Sequence, residues 1–224
     1  MRKMVILGSL ILFFAPIGWA QERSEVPVWS VGDKWTYKDV NGETWTDEVQ
    51  DIKEDLYVVK MGGVRDLYAS WRRGSYHCFD KKTLNLRYLV NENGRRVKYT
   101  GVGSKHLNFP LIVGKKWMEL TQIGFDNPEF SADFALFVEY KVEGIEEVTT
   151  AAGTRKAYKI YLKPFASIFS SFYSDPYWWY RFWYSSEVKT WIKCQAGPWL
   201  GPPAKAPDAE LFSYEIKPMA KRPD

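Results

Sequence analysis

Thiols and imidazoles are scarce in this chain, which has two cysteines, Cys78 and Cys194, and two histidines, His77 and His106, in 224 residues. His77 and Cys78 are neighbours, and neighbours on a strand point to opposite faces, so the two cannot jointly hold a metal. No histidine lies near Cys194 in sequence, which removes it as a catalytic thiol. Also absent are a Gly-x-Ser-x-Gly elbow, a phosphate-binding glycine loop and a His-Glu-x-x-His pair. Carboxylates such as Asp133 and the Glu146-Glu147 doublet are plentiful, but none is spaced as a pair for glycoside hydrolysis. These read as a solvated strand face. The sequence points to a non-enzymatic protein with no metal and no cofactor.

An excess of one charge is lacking too. The 31 Lys+Arg less Arg2 and Lys3 of the leader leave 29, against 27 Asp+Glu. That balance excludes nucleic acid as the expected partner. Only one apolar run is long, and it lies at the start. Arg2 and Lys3 form a basic region, Val5 to Phe14 an apolar core, and Gly18-Trp19-Ala20 a small-residue end. Residues 1–20 therefore read as a signal peptide cut at Ala20/Gln21, too short in its core for a good membrane span. No cysteine stands at the cut, so the mature protein is expected in the periplasm, or secreted, without a lipid anchor. In that compartment Cys78 and Cys194 are permitted a disulfide. Burial as two unpaired small hydrophobes is the alternative, and the sequence leaves both open.

Helical periodicity is nearly absent from the mature chain. What is present is alternation and turn chemistry. Asn41-Gly42, Gly62-Gly63, Asn93-Gly94 and Ala151-Ala152-Gly153 punctuate segments whose apolar residues recur every second position, as in Leu84, Leu86, Tyr88 and Val90. Val138, Tyr140 and Val142 share a register that Ile145 and Val148 leave just after Gly144, which predicts a bulge there. The start, Gln21 to Pro27, is polar and expected to fray. The one helical pattern is Phe165, Ile168, Phe169 and Phe172, spaced i, i+3, i+4, i+7, and predicts a short helix over 165–172.

Three motif pairs recur in the same order. Val-Gly-x-Lys-Trp stands at 31 and 113, Val-x-x-Ile at Val49 and Val142, and Gly-x-Arg-x-x-Tyr at Gly63 and Gly153. This order predicts two related halves, about 28–100 and 109–217, within a single all-β domain spanning 21–224. Placed side by side they make one antiparallel meander sheet of eleven to thirteen strands. A sheet of that size curls into a half-barrel or barrel, because twist accumulates and open edges invite association.

The densest feature is Tyr177 to Lys193, a hairpin turning at Ser185-Ser186-Glu187 with seven aromatic residues in its first arm. Alternation puts Tyr177, Trp179, Arg181 and Trp183 on one face and Trp178, Tyr180, Phe182 and Tyr184 on the other. The plainest explanation is a strand buried on both faces. One functional reading makes Trp178, Tyr180, Phe182 and Tyr184 the lining of a hydrophobic-ligand or lipid cavity, closed by Phe165, Phe169 and Phe172. The other makes Trp179, Arg181 and Trp183 a surface platform for an envelope protein or glycan, with Arg181 making cation–π contacts.

Four motifs also carry a resemblance: Val31 to Trp35, Phe109 to Trp117, Gly153 to Ile160 and Trp183 to Lys193. In this order they resemble a family of exported bacterial proteins of unknown function. The resemblance implies a periplasmic curved sheet similar to the half-barrels of lipoprotein-carrier proteins, and it brings no catalytic or binding residues.

Overall fold

The computed structural model describes residues 21–62, 76–90, 94, 96–99, 106–125, 134–167, 179–197 and 208–218. The predicted leader, the first copy of Gly-x-Arg-x-x-Tyr at 63–68, and Phe169, Phe172 and Trp178 lie outside the described residues. Among the described residues all the regular structure is β. Strands β1 (Arg23–Ser24) and β8 (Leu111–Ile112) form a small antiparallel pair. The remaining strands are β2 (Lys34–Asp39), β3 (Thr44–Lys53), β4 (Leu56–Lys60), β5 (Tyr76–Asp80), β6 (Leu86–Val90), β7 (Arg96–Tyr99), β9 (Lys116–Phe125), β10 (Phe134–Thr150), β11 (Gly153–Ser167), β12 (Tyr180–Ser185), β13 (Thr190–Ala196) and β14 (Ala209–Glu215). They form one antiparallel meander in which β9 pairs with both β7 and β10 and β14 pairs with β2. The order returns to its start, so the sheet is a ring of strands and has no free edge to protect.

Side-chain alternation explains which way the sheet faces. Trp35 and Tyr37 on β2, Tyr57 and Val59 on β4, and Val138, Tyr140 and Val142 on β10 are all buried, while the residues between them are more open. The bulge expected near Gly144 is present as a register shift between Val142 and Gly144, and it returns Ile145 and Val148 to packed positions. The helix expected at 165–172 is not formed over its first turn. Phe165 to Ser167 prolong β11, with Ala166 and Ser167 opposite Phe137 and Leu136 of β10. A short helix of serine and phenylalanine is poorly self-supporting, whereas a waiting strand satisfies the same backbone groups. The segment that begins at Gln21 is also more ordered than expected. Ser24 pairs with Leu111 and is 3% exposed, so the polar character of 21–27 did not mean fraying.

The two Val-Gly-x-Lys-Trp segments adopt the same backbone. Gly32 and Gly114 have φ of +87° and +85°, a region open to glycine and costly for other residues. Gly32 N donates to Val49 O at 2.8 Å, Asp33 N to Ser30 O at 3.0 Å and Val49 N to Asp33 O at 2.9 Å. Gly114 N donates to Val142 O at 2.9 Å, Lys115 N to Ile112 O at 3.0 Å and Val142 N to Lys115 O at 2.9 Å. Immediately after each of these valines the ladder slips by one residue, at Val49/Asp51 and at Val142/Gly144.

The buried side chains form two separate clusters. One gathers Trp29, Trp35, Tyr37, Val49, Tyr57, Val59 and Leu84, and also takes Trp183, Val188 and Ile192. The other gathers Leu111, Trp117, Val138, Tyr140, Val142, Tyr158, Ile160, Leu162, Tyr180 and Tyr184. Phe109 packs against both.

Candidate functional site

Strand β12 carries the aromatic run, and its register with β11 sorts the two faces. Tyr180 lies opposite Leu162, Phe182 opposite Ile160 and Tyr184 opposite Tyr158, all on the face of the second cluster. Arg181 lies opposite Tyr161 and Trp183 opposite Lys159, on the other face. Tyr180, Phe182 and Tyr184 line a cavity of about 250 Å³ inside the ring. Of the residues predicted to close it, Phe165 is in β11, and Phe169, Phe172 and Trp178 are outside the described residues.

The cavity lies between the two clusters. On one side it is walled by Trp29, Trp35, Phe79 and Leu84, on the other by Leu162 and the three β12 aromatics. β5, which supplies Phe79, stands six places from β12 in the ring, so the cavity crosses the full bore. Its lining is mostly apolar, with Asp47, His77, His106, Arg181, Lys189 and Thr190 as polar members. His106 Nδ1 lies 3.3 Å from Tyr140 Oη. Lys189 points its amine at the buried Asp33 carboxylate, 3.5 Å away. Burial pushes the Tyr184 phenol well above its ordinary range, so it stays protonated and neutral.

One end of this space is shaped by residues the sequence did not single out. Trp29 packs on Trp35, Tyr57 and Phe79 with ring centres 5.2–5.5 Å apart. Its Nε1 donates to Lys189 O at 3.0 Å, and Trp35 Nε1 donates to Val188 O at 2.8 Å. These bonds tie the start of the chain to the β12–β13 turn. No local pattern around Trp29 announces this, because its partners lie up to 160 residues away. Trp191 was visible as part of the hairpin; it lines the cavity and stacks on Tyr37 at 4.1 Å.

The opposite face of β12 is a row of cation–aromatic contacts. Arg181 sits 4.7 Å from the Trp179 ring and 5.2 Å from that of Tyr161. Its Nε and Nη2 donate to Glu143, at 2.8 and 3.4 Å. That hydrogen bond outweighs burial, which lowers it, and holds the guanidinium above its usual pKa. The pair is partly open to water, so its net contribution is about 1 kcal/mol or less. Trp183 is more enclosed. Lys159 and Lys193 place their amines 5.4 and 5.3 Å from its ring, Glu146 accepts its Nε1 at 2.6 Å, and the residue is 4% exposed.

Neither cysteine is in a disulfide, so the bond left open by the sequence is not formed. Cys194 lies opposite Phe182 and lines the cavity. Cys78 lies opposite Val58 and Tyr88, while its neighbour His77 is the one that lines the cavity. The thiols thus occupy different faces of well-separated strands, and rotamer changes cannot bring them to bonding distance.

No protein-family model matches the chain, and no curated protein matches it significantly. Three solved structures are similar in shape. One is a hypothetical lipoprotein, YmcC, from Escherichia coli K12, with TM-score 0.44 and 11% identity over 86% of this chain and 90% of that one. A candidate lipoprotein from Parabacteroides distasonis has TM-score 0.41 and 12% identity over 87% of this chain and 100% of its own. A candidate exported protein with a YmcC-like fold from Bacteroides fragilis has TM-score 0.36 and 12% identity over 86% and 99% of the two chains. At these values the likeness supports no inference about the site.

Proposed function

We propose that this is an exported, non-enzymatic protein that binds or shields the hydrocarbon part of a small molecule or lipid inside its strand ring. The observation that carries this reading is the apolar cavity between the two clusters, lined by Tyr180, Phe182 and Tyr184 on one side and Trp29, Trp35 and Phe79 on the other. Ligand sites favour such places, where two packed units meet without filling the space between them. Export rests on the basic, apolar and small-residue segments of residues 1–20. The residue after Ala20 is Gln21, so a lipid anchor of the kind named for two of the structural neighbours is not part of this proposal.

The surface reading has less support. A sugar or partner stacking on Trp183 would have to displace Lys159 and Lys193 from its ring, and at 4% exposure the residue presents little to either. Arg181 already occupies the neighbourhood of Trp179.

The test is uptake of an uncharged aromatic probe, 1-aminoanthracene, by the mature protein, with native mass spectrometry of the protein recovered from the envelope fraction. Probe fluorescence should rise at 1:1 stoichiometry, and alkylation of Cys194 by iodoacetamide should slow when the probe is bound. A protein with no adduct, no probe uptake and no protection of Cys194 overturns the proposal.

A further inference from the structure

We infer that the cavity takes a single-chain anionic amphiphile, with about ten carbons inside the ring and the anion at Arg181; this rests on the ligand-binding reading above. The size follows from the volume. A cavity of about 150 Å³ lined by Leu, Ile and Phe holds a benzene-sized molecule. The cavity here, about 250 Å³, scales to about ten carbon atoms. Two acyl chains do not fit in such a space, and one long chain fits only in part.

The orientation follows from where the polar groups stand. The cavity crosses the bore from β12 to β5 and β6, and the far wall is hydrocarbon apart from the His77 imidazole: Phe79, Leu84 and Leu86. Arg181 belongs to the opposite face of β12 yet also reaches the cavity, which places it at the rim. Glu143 takes its Nε and Nη2, and its Nη1 makes no hydrogen bond among the described residues. Tyr161 and Trp179 hold the guanidinium plane in position, so little side-chain freedom remains to be lost when an anion binds. Asp47 is the one carboxylate among the cavity's described wall residues, and β3, which carries it, is four places from β12. A head group at Arg181 is therefore kept apart from it. Carboxylate and phosphate heads share the chemistry that a guanidinium recognises.

The experiment is calorimetric titration of the mature protein with alkanoates of six to sixteen carbons, below their micellar concentrations. Decyl phosphate, 1-decanol and decyltrimethylammonium serve as head-group controls. Each added methylene should tighten binding about fourfold while it enters the cavity, and the gain should stop near ten carbons. Decanoate or decyl phosphate should bind about three- to tenfold more tightly than decanol, and the cation more weakly than decanol. Whichever anion binds better separates a fatty acid from a phosphate-headed lipid. Arg181→Gln should bring the anions down to the affinity that the same variant has for decanol, with circular dichroism showing that the variant is folded. Affinity that keeps rising to sixteen carbons, or a cation that binds as well as the anions, overturns the inference and leaves the ligand-binding reading intact. Failure of every compound, decanol included, overturns both.

Discussion

Asp33 is the residue whose removal should most damage the end of the cavity shaped by Trp29. It is 0% exposed. Its Oδ2 accepts Ser30 N at 2.9 Å, its Oδ1 accepts Lys217 N at 2.7 Å, and the Lys189 amine lies 3.5 Å from Oδ2. One carboxylate thus ties the segment leading into β2, the β12–β13 turn and the chain after β14. Asp33→Ala leaves two N–H groups short of an acceptor, each costing about 1–3 kcal/mol where water cannot reach them. It also strips the mostly buried Lys189 of its counter-charge, and breaking one side of such a pair costs roughly 3–5 kcal/mol. These costs overlap, because the same turn relaxes to meet all of them. A total of about 4 kcal/mol is expected, or about 8–16 °C in Tm for a chain of this size. Asp33→Asn keeps the shape and one acceptor oxygen but turns an amide donor toward another donor, so about half that loss is expected. Urea unfolding followed by circular dichroism and tryptophan fluorescence measures both. Trp29 and Trp35 donate to Lys189 O and Val188 O of the same turn, so the folded variant should also emit at longer wavelength. An alanine variant within about 1 kcal/mol of wild type, with unshifted emission, would refute this reading of the node.

Three further outcomes are expected. Gly114→Ala forces a Cβ onto a φ of +85° where nothing crowds it, so the cost should be the backbone cost alone, about 1–2 kcal/mol; a neutral result in a thermal melt would contradict the turn geometry. Burial pushes the phenols of Tyr57, Tyr158, Tyr161 and Tyr184 above the ordinary 10.0. The folded state therefore favours their protonated forms, a stabilisation fully present below about pH 10 and lost as the pH rises toward the folded-state values. Tyrosinate absorbance should lag at pH 10 and then rise together with loss of the β-sheet signal, and reversible ionisation of all tyrosines at pH 10 in a folded protein would exclude this. Thiol titration in denaturant without reductant should count two thiols per chain, where a disulfide-bonded fold would give none.

Much of this architecture was legible in the sequence because strand pairing leaves local marks. Asn41-Gly42 sits at a turn with Gly42 at φ +85°, and the register break at Gly144 could be predicted because Ile145 and Val148 leave the register of Val138, Tyr140 and Val142. The β12 alternation also sorted Tyr180, Phe182 and Tyr184 correctly to one face. What failed was the choice between periodicities in a short segment. Phe165 begins a helical pattern, but a neighbouring strand already waited for residues 166 and 167. The polar character of 21–27 hid the pairing of β1, since a two-residue strand needs no apolar pattern. The fate of the cysteines and the role of Trp29 were not readable, because both depend on which strands the ring makes opposite one another.

The recurrent motifs suggest why a gap persists between the two clusters. Trp35 and Trp117 hold the same place after their Gly-x-Lys turns, and each faces one residue across the ladder. Trp117 faces Tyr140, and the two rings stack at 5.0 Å with their planes 3° apart. Trp35 faces Asp47. A carboxylate fills far less space than a phenol, so the ring of Trp35 is not covered from that side as Trp117 is. Both Trp35 and Asp47 line the cavity, whereas neither Trp117 nor Tyr140 does. The second cluster thus covers its own tryptophan, while that of the first is covered from elsewhere in the chain. Trp29 packs on one side of Trp35, and the turn after β12 accepts its indole N–H. The open side faces Tyr180, Phe182 and Tyr184. An aromatic surplus on β12 that looks excessive for a strand core is what a wall needs when the space opposite it is left unfilled.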